Sequence, residues 1–247
     1  MEEKATELYF QLASVDRKRV LAELMQGNLH LYEVAKRLET TPTEALRQLQ
    51  RLTESGLLEK MPDGKYRLTS YAKLVLDTAS PLDFISRYKE YFQEHDAFLL
   101  PKEFRARFGE LSDCRMTRGT IETLNWVTEF FKGAQKKIDA TVVGFEIQVN
   151  ILRQRVQEGL KVRWLMDASF SDHARLMLRS DKQRPEVRVT PRVFGHVGTT
   201  DKAAVLTLRH NDGTLSFDAF VSEDPSFLKW AGDLFAHEWE RAKPWYP

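Results

Sequence analysis

Apolar residues recur along the first quarter of the chain with helical spacing. Leu8 and Leu12, then Val15 and Leu21 to Leu24, suit a helix that breaks near Ser14-Val15-Asp16 and stops at Gln26-Gly27-Asn28, where Gly27 can take the left-handed conformation. A short helix over 31–38 follows, with apolar residues at 31, 34, 35 and 38. Thr41-Pro42-Thr43-Glu44 opens the next, with a threonine cap, a proline at the first helical position and a glutamate three residues after the cap, the pattern of a capping box. Ala45, Leu46, Leu49 and Leu52 are its expected core residues, and Ser55-Gly56 ends it. Two short strand-like runs, 57–61 and 65–68, then flank Pro62-Asp63-Gly64, a strong turn signal. Helices too short to stand alone, closed by one hairpin, predict a winged helix-turn-helix over residues 1–76.

A helical connector over 77–109 comes next, with Ser80-Pro81 expected to start a helix. Phe84, Tyr88, Tyr91 and Phe92 fall on one face of it. That stripe either packs on its own carboxy-terminal domain or forms a dimer interface, and the dimer is the expectation carried forward. Residues 110–247 alternate strand and helix patterns. Helices are expected over 120–132, 146–158 and 172–179, and strands over 138–143, 162–166, 187–189, 203–208 and 215–221. Asp224-Pro225 caps a last helix with Phe227, Trp230, Leu234, Phe235 and Trp239 on one face. This alternation predicts an α/β domain with a mixed sheet.

Composition narrows the chemistry. The 37 Lys and Arg residues nearly balance 36 Asp and Glu over 247 residues, so no partner is selected by bulk charge. Residues 1–76 alone carry 12 basic and 11 acidic side chains, few for a DNA binder. Cys114 is the single cysteine, which excludes an intrachain disulfide and a multi-cysteine zinc site and points to a reducing compartment. The six histidines have no metal-ligand spacing. No apolar run reaches the length of a membrane span, and the first residues lack a signal-peptide core. A cytoplasmic protein with no cofactor, no metal and no membrane contact is expected.

Several segments together resemble a known family. Asp63-Gly64-Lys65-Tyr66-Arg67-Leu68-Thr69, the stretch from Phe104 to Gly119 with Phe108-Gly109-Glu110-Leu111, and Ser222-Glu223-Asp224-Pro225-Ser226-Phe227 followed by Trp230, Leu234-Phe235, Trp239 and Ala242 resemble archaeal winged-helix transcription regulators of the methanogenesis and filament regulatory family. The resemblance spans nearly the whole chain. It implies an amino-terminal winged helix and a carboxy-terminal domain with a phospholipase D-like fold that has no catalytic role. Phospholipase D chemistry needs a histidine nucleophile two residues before a lysine, and no His-x-Lys occurs here. The nearest match is His173-Ala174-Arg175, with Asp181 beyond it. Neither a phosphate-binding glycine loop nor a Gly-x-Ser-x-Gly elbow is present. The chain is expected not to be an enzyme.

These residues predict a DNA-binding transcription regulator, a homodimer on double-stranded DNA whose carboxy-terminal domain dimerises or senses a small-molecule effector. The alternative is a protein-interaction module whose winged helix serves as a dimer contact. On the helix opened by Thr41, the residues expected to face DNA are Arg47 and Gln48 toward bases, Thr41 and Thr43 toward phosphate at the helix start, and Arg51 toward the backbone with Lys65 of the wing. Glu44 is expected to turn back to the cap. Candidate effector residues are Asp167 and Ser169 after a strand, and His196 and Asp201 in what reads as the loop around Gly195-His196-Val197-Gly198-Thr199-Thr200. Arg209 and Asp218 are expected to pair across the sheet.

Overall fold

The computed structural model describes residues 2–142, 146–170 and 184–246. The expected helix over 172–179, with His173 and Asp181, and Gly144 lie outside these residues. The chain divides into two compact units, Met1–Ala79 and Ser80–Pro247.

In the first unit, α1 (Glu2–Leu12) and α2 (Val15–Met25) are separated at Ser14, whose hydroxyl accepts the Arg17 N–H. Arg17 is itself buried, and its guanidinium donates to the Gln11 and Phe10 carbonyls at 3.0 and 2.7 Å. It thereby satisfies the last carbonyls of α1. Then come α3 (Leu31–Arg37), α4 (Pro42–Glu54) and a hairpin of β1 (Leu58–Lys60) and β2 (Tyr66–Leu68). Glu59 opposes Arg67 in the hairpin, and the two form an ion pair at 2.7 Å. Leu29 and Tyr66 exchange backbone hydrogen bonds, so the segment before α3 adds an edge to the hairpin. One core fills the unit, with Val20, Leu21, Val34, Ala45, Leu49, Leu52 and Leu57 wholly buried.

Helix α5 (Ser70–Arg87) is continuous, with Pro81 inside it rather than at its start. A proline there forgoes one intrahelical bond, a cost of about 3 kcal/mol in an isolated helix. The burial of Phe84 and half-burial of Tyr88 one and two turns on offset it. Gly109 approaches this turn so closely that a Cβ there would lie 2.0 Å from the Ser80 hydroxyl, which only glycine permits. After α5 come α6 (Lys89–Glu94), a 3-10 turn at Ala97–Leu99, α7 (Lys102–Arg105) and a second 3-10 turn at Phe108–Leu111.

The rest of the second unit is α/β. It comprises β3 (Arg115–Thr117), α8 (Gly119–Gly133), β4 (Lys137–Val142), α9 (Glu146–Gln157), β5 (Lys161–Asp167), β6 (Glu186–Thr190), β7 (Gly195–Thr200), β8 (Ala204–Leu208), β9 (Ala219–Ser222), α10 (Pro225–Arg241) and β10 (Lys243–Pro244). Among the described residues the strands form one mixed eight-stranded sheet in the order β10-β6-β5-β4-β7-β8-β9-β3. The β4–β5 and β5–β6 pairs are parallel and the others antiparallel.

Side chains alternate across this sheet. Leu165, Leu206 and Phe220 join a core with α10 and the connector, while Trp164, Val205 and Val221 join one with α8 and α9. The connector stripe therefore packs on its own domain and is not a dimer face. Phe84 and Tyr91 are buried, Tyr88 and Phe92 are half-buried, and all four rings surround Phe220 at centroid distances of 4.6 to 6.1 Å.

Segment 195–200, expected as a loop, is the wholly buried strand β7 between β4 and β8. Its glycines read as loop residues in sequence, but they serve packing. A Cβ on Gly195 would meet the Thr207 carbonyl oxygen at 2.1 Å, and one on Gly198 would meet Val205 and Phe130 at 3.0 and 3.2 Å. Beneath the sheet, Asp139 is buried and takes two hydrogen bonds from Arg163, at 2.6 and 2.9 Å. Burial alone would raise this carboxyl's pKa; the paired guanidinium and Lys137 outweigh it and hold it below the usual range.

Truncating the centre of the aromatic cluster, Phe220→Ala, is expected to destabilise the carboxy-terminal unit by about 3–5 kcal/mol in denaturant unfolding. Ile121→Ala, at a side chain 78% exposed, is expected to change it by no more than about 0.5 kcal/mol.

Candidate nucleic-acid interface

Helix α4 carries the residues expected to read DNA. Its start is fixed by the Thr41 hydroxyl, which accepts the Glu44 N–H at 3.2 Å, with Pro42 in the first turn. The reciprocal half of the capping box is not made. The Glu44 carboxylate instead accepts from Arg47 at 2.8 Å and from the Gln48 side-chain amide. Glu44 is thus held ionised, its pKa lowered first by the hydrogen bond from Arg47.

Gln48 does not face outward. It is 4% exposed, and its Oε1 is buried without a hydrogen-bond partner among the described residues. A contact from Gln48 to an adenine edge is therefore not available in this arrangement. The signal was in the spacing: 45, 48, 49 and 52 follow i, i+3, i+4, i+7. Leu46, expected inside, is only half-buried. The outward face holds Thr43, Arg47, Gln50, Arg51 and Glu54, all exposed. Gln50 is the polar residue missed from sequence, and its offset of three from Arg47 places it on that face.

At the wing, Asp63 accepts the Lys65 N–H at 3.0 Å and Gly64 takes a φ of 83°, which together shape the turn that presents the half-buried Lys65. Of the cations on these two elements, Arg47 is paired with Glu44 and Arg67 with Glu59. Both pairs are solvent-exposed and contribute little to stability. An incoming phosphate or base edge can therefore displace either carboxylate at little cost.

The four candidate effector residues do not converge. Asp167 closes β5 locally: one oxygen accepts the Ser169 N–H and hydroxyl at 3.0 and 2.7 Å, and the other accepts the Val193 N–H and Arg209. Burial works to raise the Asp167 pKa, and these bonds together with Arg209 outweigh it and lower it. Arg209 is therefore the partner of Asp167, at 3.3 Å, and not of Asp218, which accepts the Gly119 N–H. Asp201 accepts the Gln135 and Lys136 N–H groups at 2.9 and 3.0 Å, beyond the end of β7 that pairs with the start of β4. That is the opposite end of the sheet from Asp167, since β4 and β5 are parallel.

His196 is buried within β7, with Nδ1 3.4 Å from the Thr141 hydroxyl and Nε2 lacking a partner among the described residues. Burial pushes its pKa down to about 4. Among the described residues no group of three or more His, Cys, Asp or Glu side chains is arranged to hold a metal ion, and no helix is long and apolar enough to cross a membrane.

No protein-family model matches the chain, and no curated protein does. Among solved structures, the chain is similar to TrmBL2, an archaeal chromatin protein with a novel mode of DNA binding, at 15% identity over 94% of each chain and a TM-score of 0.44. It is also similar to Nuc, a phospholipase D family member from Salmonella typhimurium, at 11% identity over 55% of this chain and all of that one, with a TM-score of 0.40. A third likeness is to the riboflavin-derivative dimethyltransferase RosA of Streptomyces davawensis, at 13% identity over 75% of this chain and 64% of that one, with a TM-score of 0.29. Likenesses this loose include both DNA-binding and enzymatic proteins and decide between none of them.

The state of His196 has a measurable consequence. The unfolded histidine protonates near pH 6.5, whereas the folded one stays neutral down to about pH 4. The unfolded state binds more protons in that window, so stability falls as pH drops through it, by roughly 3 kcal/mol in total. Replacing the group, His196→Asn, is expected to flatten the fall between pH 6.5 and 4 in urea midpoints, whatever its effect at pH 7.

Proposed function

We propose that this protein is a sequence-specific, DNA-binding transcription regulator of the cytoplasm. Its amino-terminal unit acts as a winged helix-turn-helix. The carboxy-terminal domain is non-catalytic and phospholipase D-like, and serves dimerisation, ligand sensing or both. The observation that carries this reading is the outward face of α4. Arg47, Gln50 and Arg51 stand exposed on the side opposite the buried stripe, behind the helix start capped by Thr41, and Lys65 is at the turn of the following hairpin. A capped helix with a basic outer face followed by a short ribbon is the geometry that enters a major groove and lays a wing on the neighbouring backbone.

Residues take the following roles in this reading. Arg47 leaves Glu44 and forks to a guanine edge, and Gln50 takes the neighbouring position. Thr41 and Thr43 sit against phosphate at the start of α4, where the helix dipole favours an anion. Arg51 and Lys65 contact the backbone. Winged-helix regulators read paired half-sites, so a homodimer follows from the function. Its interface lies away from the connector aromatics, which are occupied within their own domain.

A second reading has its own support. Two cations of α4 and the hairpin are already paired, and the first unit exposes Tyr9, Phe10, Tyr32, Tyr71 and Leu74. Exposed apolar side chains of this kind suit a protein-interaction module in which the winged helix contacts another protein.

Selection of bound fragments from genomic DNA, followed by fluorescence anisotropy across a salt series, separates the two. Arg47→Ala is expected to cost about 1–3 kcal/mol on the selected site and to relax preference at one base pair. Lys65→Ala should weaken all sequences alike and reduce the salt slope by about one. Glu44→Gln, which frees Arg47, should tighten binding. If the double variant Arg47→Ala, Arg51→Ala binds DNA as the parent does, or if the parent selects no fragment, the protein-interaction reading replaces this one.

A further inference from the structure

A cavity of about 740 Å³ lies within the second unit, between the connector and the β8–β9 turn. It falls within the size range of small-molecule sites. Its floor is apolar: Ile85, Phe92, Ala97 and Phe108 line it, with the Phe92 and Phe108 rings stacked at 5.5 Å. The polar groups are few. His95 borders it, but both ring nitrogens are engaged, with the Tyr91 carbonyl at 2.7 Å and the Ser216 hydroxyl at 2.8 Å. The Asn211 amide is used on the Gln93 carbonyl. One Asp96 oxygen accepts the Phe98 N–H at 2.8 Å and fixes the 3-10 turn that holds Phe98.

Two cations of α7 remain. Neither Lys102 nor Arg105 has a carboxylate within ion-pair distance among the described residues, and both line the cavity. Arg105 Nε is buried without a hydrogen-bond partner among those residues. Burying such a donor unsatisfied is costly unless something accepts from it. The Arg105 guanidinium lies 4.3 Å from the centroid of the Phe98 ring, and Phe98 is 83% exposed. A phenyl ring so exposed beside an apolar cavity, resting on an arginine, is placed to cover the body of a molecule whose charged end meets that arginine.

We infer that this cavity binds an amphipathic carboxylate, an apolar acyl or aryl body with one carboxylate head, with Lys102 and Arg105 holding the head and Phe92, Phe108 and Phe98 packing the body. This gives the ligand-sensing reading of the carboxy-terminal domain a site and a chemical class, and it rests on that reading for its purpose alone. Binding is measured without DNA, so its failure and a failure of DNA binding are separate results.

Isothermal titration of the full chain with decanoate and with 4-phenylbutyrate, below any micelle-forming concentration, is the test. Saturable binding of one molecule per chain is expected for at least one of them. 1-Decanol and inorganic phosphate, which each lack one half of the pattern, should bind at least tenfold more weakly. Lys102→Gln with Arg105→Gln should weaken carboxylate binding tenfold or more, while Arg105→Lys retains most of it and shows that the loss does not come from misfolding. Phe98→Ala, at an exposed position, should weaken binding severalfold with an unchanged circular dichroism spectrum. Absence of saturable binding to either carboxylate would overturn the inference, as would equal binding of 1-decanol, or unchanged affinity in the double glutamine variant.

Discussion

The closure of four connector aromatics on Phe220 governs the second half of this molecule. Phe84 comes from α5, Tyr91 and Phe92 from α6 and Tyr88 from the junction between them, and Phe220 comes from β9, more than a hundred residues later in the chain. Edge-to-face and stacked pairs of this kind add about 0.5–1.5 kcal/mol each beyond the area they bury. That makes the connector part of the α/β unit instead of a spacer, and the boundary between units falls at Ala79 and Ser80. The same packing explains how α5 tolerates Pro81 and why Gly109 has to be a glycine. It also builds the cavity, because Phe92 and Phe108 are at once members of the cluster and the cavity floor.

The first unit is organised by a different constraint, the division of α4 into a buried stripe and an outward face. Ala45, Gln48, Leu49 and Leu52 face in, and the polar member of that stripe hydrogen-bonds to Glu44. Glu44 thus touches both faces, holding Gln48 on one side and Arg47 on the other. Its carboxylate stands in the first turn, where the helix dipole favours a negative charge. The arrangement leaves the basic face partly neutralised in the free protein and links the release of Arg47 to whatever approaches α4.

In the α/β domain, polar residues hold the strand ends and strand pairs together, among them the candidate residues Asp167 and Asp201. Asp167 ties the end of β5 to Ser169, Val193 and Arg209, Asp201 ties the start of β4 to the end of β7, and Asp139 with Arg163 joins two parallel strands beneath α10. Arg163 also lies over the rings of Phe235 and Trp239, at 5.2 and 5.5 Å. A carboxylate buried beside backbone N–H groups or a guanidinium is held ionised by them, and such a group secures the fold.

Local rules were enough to read much of this protein from its sequence. The Thr41-Pro42 start of α4, the Asp-Gly turn, the Asp224 cap of α10 and the alternating pattern of β4, α9 and β5 are set by neighbours within a few residues, and the mixed α/β class follows from their order. What required the tertiary structure depended on partners far along the chain. Gly195 and Gly198 signal a loop locally, and only the close approach of Thr207, Val205 and Phe130 makes them members of a central strand. The connector stripe has the same helical spacing whether it meets a second copy or its own sheet, and Phe220 decides between the two. Arg209 and Asp218 sit on neighbouring segments, yet each finds its partner elsewhere, in Asp167 and Gly119. Spacing along a chain shows which side chains share a face, and three-dimensional packing determines what that face touches.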